Sequence, residues 1–272
     1  MKPTDVIITG AGSLGIFSWA TAKLHSNLTD AVYNKYAKVY KPPGIVSIVI
    51  PAFNEEQYIE RALRSILSQN IIAKYKDYFE CIVVDNESTD RTADIAKQYC
   101  QVISAPRGKL NARDAGIKAA VGDIIVSCDS DCYYPPNYLN LLLHHFYEEG
   151  VVAVQGLSLN EGNLAHRVFS VWLAPFSAIG IGKRIHGASS AFLRQSYFNV
   201  GGFDLSINQF DILEIMAEEE VTFLLKLQQI GKVVFDFQAC CFHPQRGLHG
   251  NVAQELRLTD ERALEIARGE RF

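Results

Sequence analysis

Residues 45–56 read Ile45-Val46-Ser47-Ile48-Val49-Ile50-Pro51-Ala52-Phe53-Asn54-Glu55-Glu56. The first six are almost all β-branched, as a strand covered on both faces requires. Pro51 and the polar residues behind it end that strand. Upstream, Pro42-Pro43-Gly44 is a breaker and marks the entry to the domain. Downstream, Ile59, Leu63, Ile66 and Leu67 recur at helical spacing. Cys81-Ile82-Val83-Val84 predicts the next strand, and Ser88 and Thr89 then suit a helix cap, with Asp90 in the first turn of a helix carrying Ile95 and Tyr99. Gln101-Val102-Ile103 and Ile124-Ile125-Val126 predict two more strands, with a helix over Asn111 to Ala120 between them. Pro136 opens a helix through Leu139, Leu142, Leu143 and Phe146 that Gly150 closes, and Val151 to Val154 begins a further strand. Strand and helix alternating at this interval predict an α/β fold, a mostly parallel central sheet with helices on both faces.

The whole chain has 272 residues, 48% of them hydrophobic and 21% charged, with a net charge of −4. This is a globular composition with enough chain for a real core. The slight acidity argues against a nucleic-acid partner, whose phosphates demand a basic surface. No two of the six cysteines have CxxC spacing. Buried thiols in a reducing compartment are expected.

Residues 6–22 carry no charge. Gly10-Ala11-Gly12-Ser13-Leu14-Gly15 follows Val6-Ile7-Ile8 and imitates a dinucleotide fingerprint. The second strand and its acidic end are missing, because Tyr33-Asn34-Lys35-Tyr36 stands there. The run reads instead as a hydrophobic anchor, single-pass or peripheral, with Lys23, Lys35, Lys38 and Lys41 placing the bulk of the chain on the cytoplasmic side. A packed or interfacial helix is the other reading. The chain thus divides into an anchor and linker (1–43), a catalytic-type domain (44–250) and a helical tail (251–272). Residues 164–181 form a second apolar stretch, broken by Arg167 and Pro175, that suits a substrate-side element or a patch resting on a membrane.

In parallel sheets ligands bind beyond the carboxyl ends of the strands. Here those ends are acidic: Glu55-Glu56, Asp85-Asn86-Glu87 and Asp129-Ser130-Asp131. Asp129 and Asp131, two apart, share a face of extended chain. Their oxygens suit Mg2+ or Mn2+ held jointly with phosphates. His144-His145 does not suit a shared metal, since neighbours on a helix point apart.

Together, Ser47 to Glu56, Val84-Asp85-Asn86-Glu87-Ser88-Thr89-Asp90, Asp129-Ser130-Asp131, Lys109 to Gly116, Gly187 to Arg194 and Val200-Gly201-Gly202-Phe203-Asp204 resemble a family 2 glycosyltransferase of the GT-A fold. The likeness runs from about Val46 to about His243. It implies a nucleotide-sugar-binding half (44–156) and an acceptor half (157–250). Pro51, Ala52, Phe53 and Glu55 would line the nucleoside pocket, Asp85 would bond the base or ribose, and Arg113 would lie near the diphosphate. Asp131 and Asp129 would hold Mn2+ or Mg2+, with His243 as a third candidate. The family's Glu-Asp pair falls on Glu219-Glu220. Glu220 would take the acceptor's proton, and Glu219 is the alternative because the family usually has aspartate at 220. The same acidic run also reads as a helix start favoured by the macrodipole.

The implied reaction is an inverting, non-processive transfer from a nucleotide-diphosphate sugar to a hydroxyl or phosphate acceptor: a glycan, a lipid-linked molecule or a small one. The Gln-x-x-Arg-Trp motif of processive synthases is absent, Trp19 and Trp172 being the only tryptophans. A nucleotidyltransferase would be expected to show a basic glycine-rich loop after the first strand, which Pro51-Ala52-Phe53-Asn54-Glu55 lacks. A sugar-nucleotide-binding module without catalysis is the remaining alternative.

Overall fold

The computed structural model describes residues 38–160, 185, 187–205 and 212–244. The expected anchor at 6–22, the apolar stretch at 164–181, His186 and the tail at 251–272 lie outside the described residues. Among the described residues no helix is long and apolar enough to cross a membrane.

Seven strands form one sheet: β1 (Val46–Ala52), β2 (Phe79–Asp85), β3 (Gln101–Ser104), β4 (Ile124–Cys128), β5 (Val151–Asn160), β6 (Ser189–Leu193) and β7 (Lys232–His243). Their order is β3-β2-β1-β4-β6-β5-β7. β3, β2, β1 and β4 run parallel, as do β5 and β7, while β6 alone is antiparallel to its neighbours β4 and β5. The expected alternating fold is therefore present, and the reversed strand is an addition to it. β5 runs across residue 156, so both halves share one sheet.

Every residue of β1 is buried. Its alternation sends Ile48 and Ile50 into one apolar layer and Val49 into the other. Helix α1 (Ile59–Leu67) buries Ile59, Ala62, Leu63 and Ile66, as its spacing predicts. A short helix α2 (Asn70–Lys74) follows. Helix α3 is only Thr92–Ala96, and Ser88 and Thr89 do not cap it. Asp90 does the local work instead, its Oδ1 accepting the Thr92 N–H at 2.9 Å. Ser88 and Thr89 are spent on Asn54: Ser88 Oγ accepts the Asn54 N–H, and Asn54 Oδ1 accepts the Thr89 N–H. Asn54 has φ 53°, a left-handed conformation that asparagine tolerates.

Helix α4 (Lys109–Ala119) lies close on the sheet because Gly116 faces it; a β-carbon there would come within 2.4 Å of Val49 and 2.8 Å of Val84. Helix α5 (Tyr138–Leu143) gives way to a 3-10 turn at His144–Tyr147. A short helix α6 (Arg194–Asn199) follows β6. Helix α7 (Ile212–Ile230) starts well before the acidic run, so residues 218–220 lie within the helix and not at its start. In β7, Phe235 opposes Gln155 and Cys240 opposes Leu157, so residues 236–239 bulge out opposite Gly156.

Candidate active site

Strand register brings the expected residues to one edge. Ala52 pairs with Asp85, and Val49 pairs with Ser127, which sets Asp129 level with Pro51. Asp85 and Asp129 thus flank the end of β1, two strand spacings or about 10 Å apart. The loops after β1 and β2 are laced together. Besides the Asn54 contacts, the Glu55 N–H donates to Thr92 Oγ1 at 2.7 Å and the Glu56 N–H to Asp90 Oδ2 at 3.1 Å. Burial raises the Asp90 carboxyl, but hydrogen bonds from Thr92 and Glu56 outweigh it and hold the group below its usual range. Phe53 lies beneath the Arg107 guanidinium, 4.4 Å from its ring centre.

Asp129 carries two cations. Arg113 Nη2 stands 2.8 Å from its Oδ1, and Lys109 Nζ 2.9 Å from its Oδ2. Both come from α4, four residues apart and hence on one face. Arg113 is 3% exposed, so it is an interior group and not a surface ion pair. The Asp129 N–H donates to Tyr134 Oη at 2.7 Å, and Tyr134 Oη donates to the Ala188 carbonyl at 2.9 Å. Carboxylate or thiol donor atoms of Asp129, Asp131 and Cys132 lie within 4.8 Å of one another. His243, expected as a third metal candidate, is not among these donors; it follows Phe242, which pairs with Tyr133.

The two glutamates differ in surroundings. Glu220, 7% exposed, accepts the Gly187 N–H on Oε1 at 3.0 Å. Glu219, fully buried, accepts the Asp204 N–H at 3.0 Å. Arg113, Ser127, Gly187, Ser190, Glu219 and Glu220 line one small pocket of about 10 Å³, together with Leu110, Ile185, Phe192, Phe203 and Phe223. Gly187 is required there, since a β-carbon would meet the Arg113 guanidinium at 1.8 Å. Among the described residues, Asp85 Oδ1, Asn86 Oδ1 and Arg113 Nε at this edge, and Ser190 Oγ in the pocket, are buried without a hydrogen-bond partner. Lys109 and Tyr134 were given no role by the motifs. The i, i+4 spacing of Lys109 and Arg113 was the available signal for the first. Nothing local marks the second.

Residues 47–181 match the model of glycosyl transferase family 2. The chain belongs to this family. An uncharacterized glycosyltransferase of Nostoc sp. is 29% identical over 127 residues, which cover 43% of this chain and 38% of that protein. The chain thus matches well under half the length of the curated relatives found first. Among solved structures, the fold is similar to mannosyltransferase PcManGT of Pyrobaculum calidifontis, in complex with GDP-Man and Mn2+. The TM-score is 0.63 at 20% identity, over 93% of this chain and 75% of that one. Glucosyl-3-phosphoglycerate synthase of Mycobacterium tuberculosis, with Mn2+, UDP-Glc and phosphoglyceric acid, gives a TM-score of 0.57 at 21% identity, over 84% and 80% of the two chains. These likenesses support the GT-A arrangement of the family.

Proposed function

We propose that this family member transfers a sugar from a nucleotide-diphosphate donor to an acceptor hydroxyl, with inversion. The observation that carries the reading is the set of unpartnered buried atoms on one strand edge. Buried polar groups are normally satisfied, and these match a nucleotide's own groups. Asp85 Oδ1 and Asn86 Oδ1 can accept N–H and O–H bonds from base and ribose, and Arg113 can donate to a phosphate oxygen. Phe53 and Glu55 border the same loop. Asp131 would hold Mn2+ or Mg2+ through its carboxylate, and Asp129 would join it as Lys109 or Arg113 turns from Asp129 to the diphosphate. Such a cation, when bound, supplies charge neutralisation for the leaving diphosphate.

In the reaction the acceptor oxygen forms a bond to the anomeric carbon as the carbon–oxygen bond to the diphosphate breaks. The hydroxyl proton passes to Glu220, whose carboxylate lines the small pocket beside Arg113 and is aimed by the Gly187 N–H. Glu219 holds the turn at Asp204 and orients the helix that carries Glu220. Arg113 and Lys109 stabilise negative charge developing on the diphosphate. The charge-free run at residues 6–22 favours an acceptor held at a membrane, glycan or lipid-linked.

Calorimetry with a panel of UDP- and GDP-sugars and Mn2+, followed by product detection, tests this. Asp131→Ala is expected to lose metal-dependent donor binding. Glu220→Gln is expected to keep donor affinity and lose transfer by about 100-fold or more, the scale of a general base. Full activity in either variant overturns the assignment, and donor binding without turnover on any acceptor makes the chain a binding module.

A further inference from the structure

On β7, the edge strand three positions across the sheet from β4, the bulge meets the 3-10 turn after α5. There the imidazoles of His144 and His145 lie with ring centres 3.9 Å apart. The pair stands in a 3-10 turn beyond the end of α5 and its rings meet, unlike the diverging neighbours expected on a regular helix. His144 Nδ1 stands 2.6 Å from the Leu141 carbonyl oxygen. That contact keeps the proton on Nδ1 and leaves the Nε2 lone pair available. His145 Nε2 is 2.9 Å from Asp236 Oδ2, and Asp236 is only 9% exposed. The other oxygen of Asp236 accepts the Gln238 N–H at 2.8 Å, so the carboxylate is oriented by the bulge itself. A bulge of this kind re-aims a side chain that a regular strand would point elsewhere.

The three side chains offer donor atoms within 4.8 Å of one another. We infer that His144, His145 and Asp236 form a second, separate site for a divalent transition metal, best suited to Zn2+. Two imidazoles and a carboxylate are a borderline-soft set matching zinc, unlike the oxygen ligands at the strand ends. Zinc bonds of about 2.0–2.2 Å at tetrahedral angles separate ligand atoms by about 3.4 Å. The 2.9 Å between His145 Nε2 and Asp236 Oδ2 lies a little under that value, and no pair of the three donor atoms is more than 4.8 Å apart. The ordered Nδ1 contact of His144 is the outer support that metal-binding imidazoles carry. Metal entry requires the neutral His145 ring to carry its one proton on Nδ1, so that the Nε2 lone pair meets the ion beside the Asp236 carboxylate, and leaves a fourth position to water. The ion would clip the turn after α5 to the β7 bulge, three strands across the sheet from β4 and Asp129.

The test uses the full chain carrying Asp131→Asn, so that the strand-end oxygens do not contribute. Metal-free protein is titrated with Zn2+ against a chromophoric chelator, and with Co2+ by absorption. One equivalent is expected to bind, with cobalt d–d bands and no thiolate charge-transfer band, which separates this site from one using Cys132. Adding His144→Ala or Asp236→Asn should weaken binding at least tenfold while circular dichroism stays unchanged. Unaltered binding in the better-folded of these two variants, or no saturable binding before they are introduced, overturns the proposal. Mn2+-dependent donor binding by the chain bearing Asp236→Asn alone should match wild type, so this result is independent of the proposed transfer activity.

Discussion

A single methyl group added to Gly187 would collide with the guanidinium of Arg113, at 1.8 Å from its carbon. Arg113 is interior and ion-paired to Asp129, so it cannot swing into water to make room. Gly187→Ala is therefore expected to break the Arg113–Asp129 contact and to move the N–H that aims Glu220. Transfer should fall about 100-fold or more, as small misplacements of reacting groups do. The protein should remain folded, and steady-state kinetics beside circular dichroism separate the two effects; wild-type turnover would show that Gly187 is incidental. The carboxylates at the strand ends were legible beforehand because strands of a parallel sheet end together. The need for Gly187 was not, because Arg113 lies 74 residues earlier in the chain and only the fold brings them together.

Among the elements, α4 matters most, since it carries both cations that hold Asp129. Its distance from the sheet is set by Gly116 against Val49 and Val84. Gly116→Val would push the helix outward, at a cost of about 1–3 kcal/mol, typical of overpacking. Chemical denaturation should show that loss, and donor KM should rise because Lys109 and Arg113 move with the helix. Unchanged stability would mean that the helix packs more loosely than described. A second joint is Gln69, fully buried between α1 and α2. Its amide donates to the carbonyls of Tyr134 and Pro135, and its Oε1 accepts the Leu139 N–H. Gln69→Ala leaves those groups unsatisfied, which should cost at least about 1–3 kcal/mol in the same denaturation experiment. The alternation of strands and helices was readable from periodicity. The reversal of β6 was not, because Ser189–Leu193 has the same apolar character whichever way it runs. The short α3 escaped for another reason: Ser88 and Thr89 look like caps, but Asn54 claims them across the loops.

On the scale of the whole molecule, buried weak acids set the alkaline limit. Burial pushes the Cys128 and Cys240 thiols and the Tyr134, Tyr138 and Tyr197 phenols upward. In the unfolded chain these groups ionise near about pH 8.5 for thiols and pH 10 for phenols. Above those values the unfolded state has lost protons that the native state keeps, so stability falls as pH rises. Below them both states are protonated and the contribution is complete. Thermal melting under reducing conditions should therefore hold steady from pH 7 to about 8.5 and decline beyond it; a melting temperature constant to pH 10 would contradict this. The reversed strand has one more consequence. β5 leaves the sheet and β6 re-enters it on the same edge, the one that bears Asp129. Running against its neighbours, β6 starts at that edge, so the Gly187 N–H that meets Glu220 and the Ala188 carbonyl that takes the Tyr134 hydroxyl both arrive there. A backward strand thereby furnishes main-chain hydrogen-bonding groups at a lip whose aspartates come from forward strands.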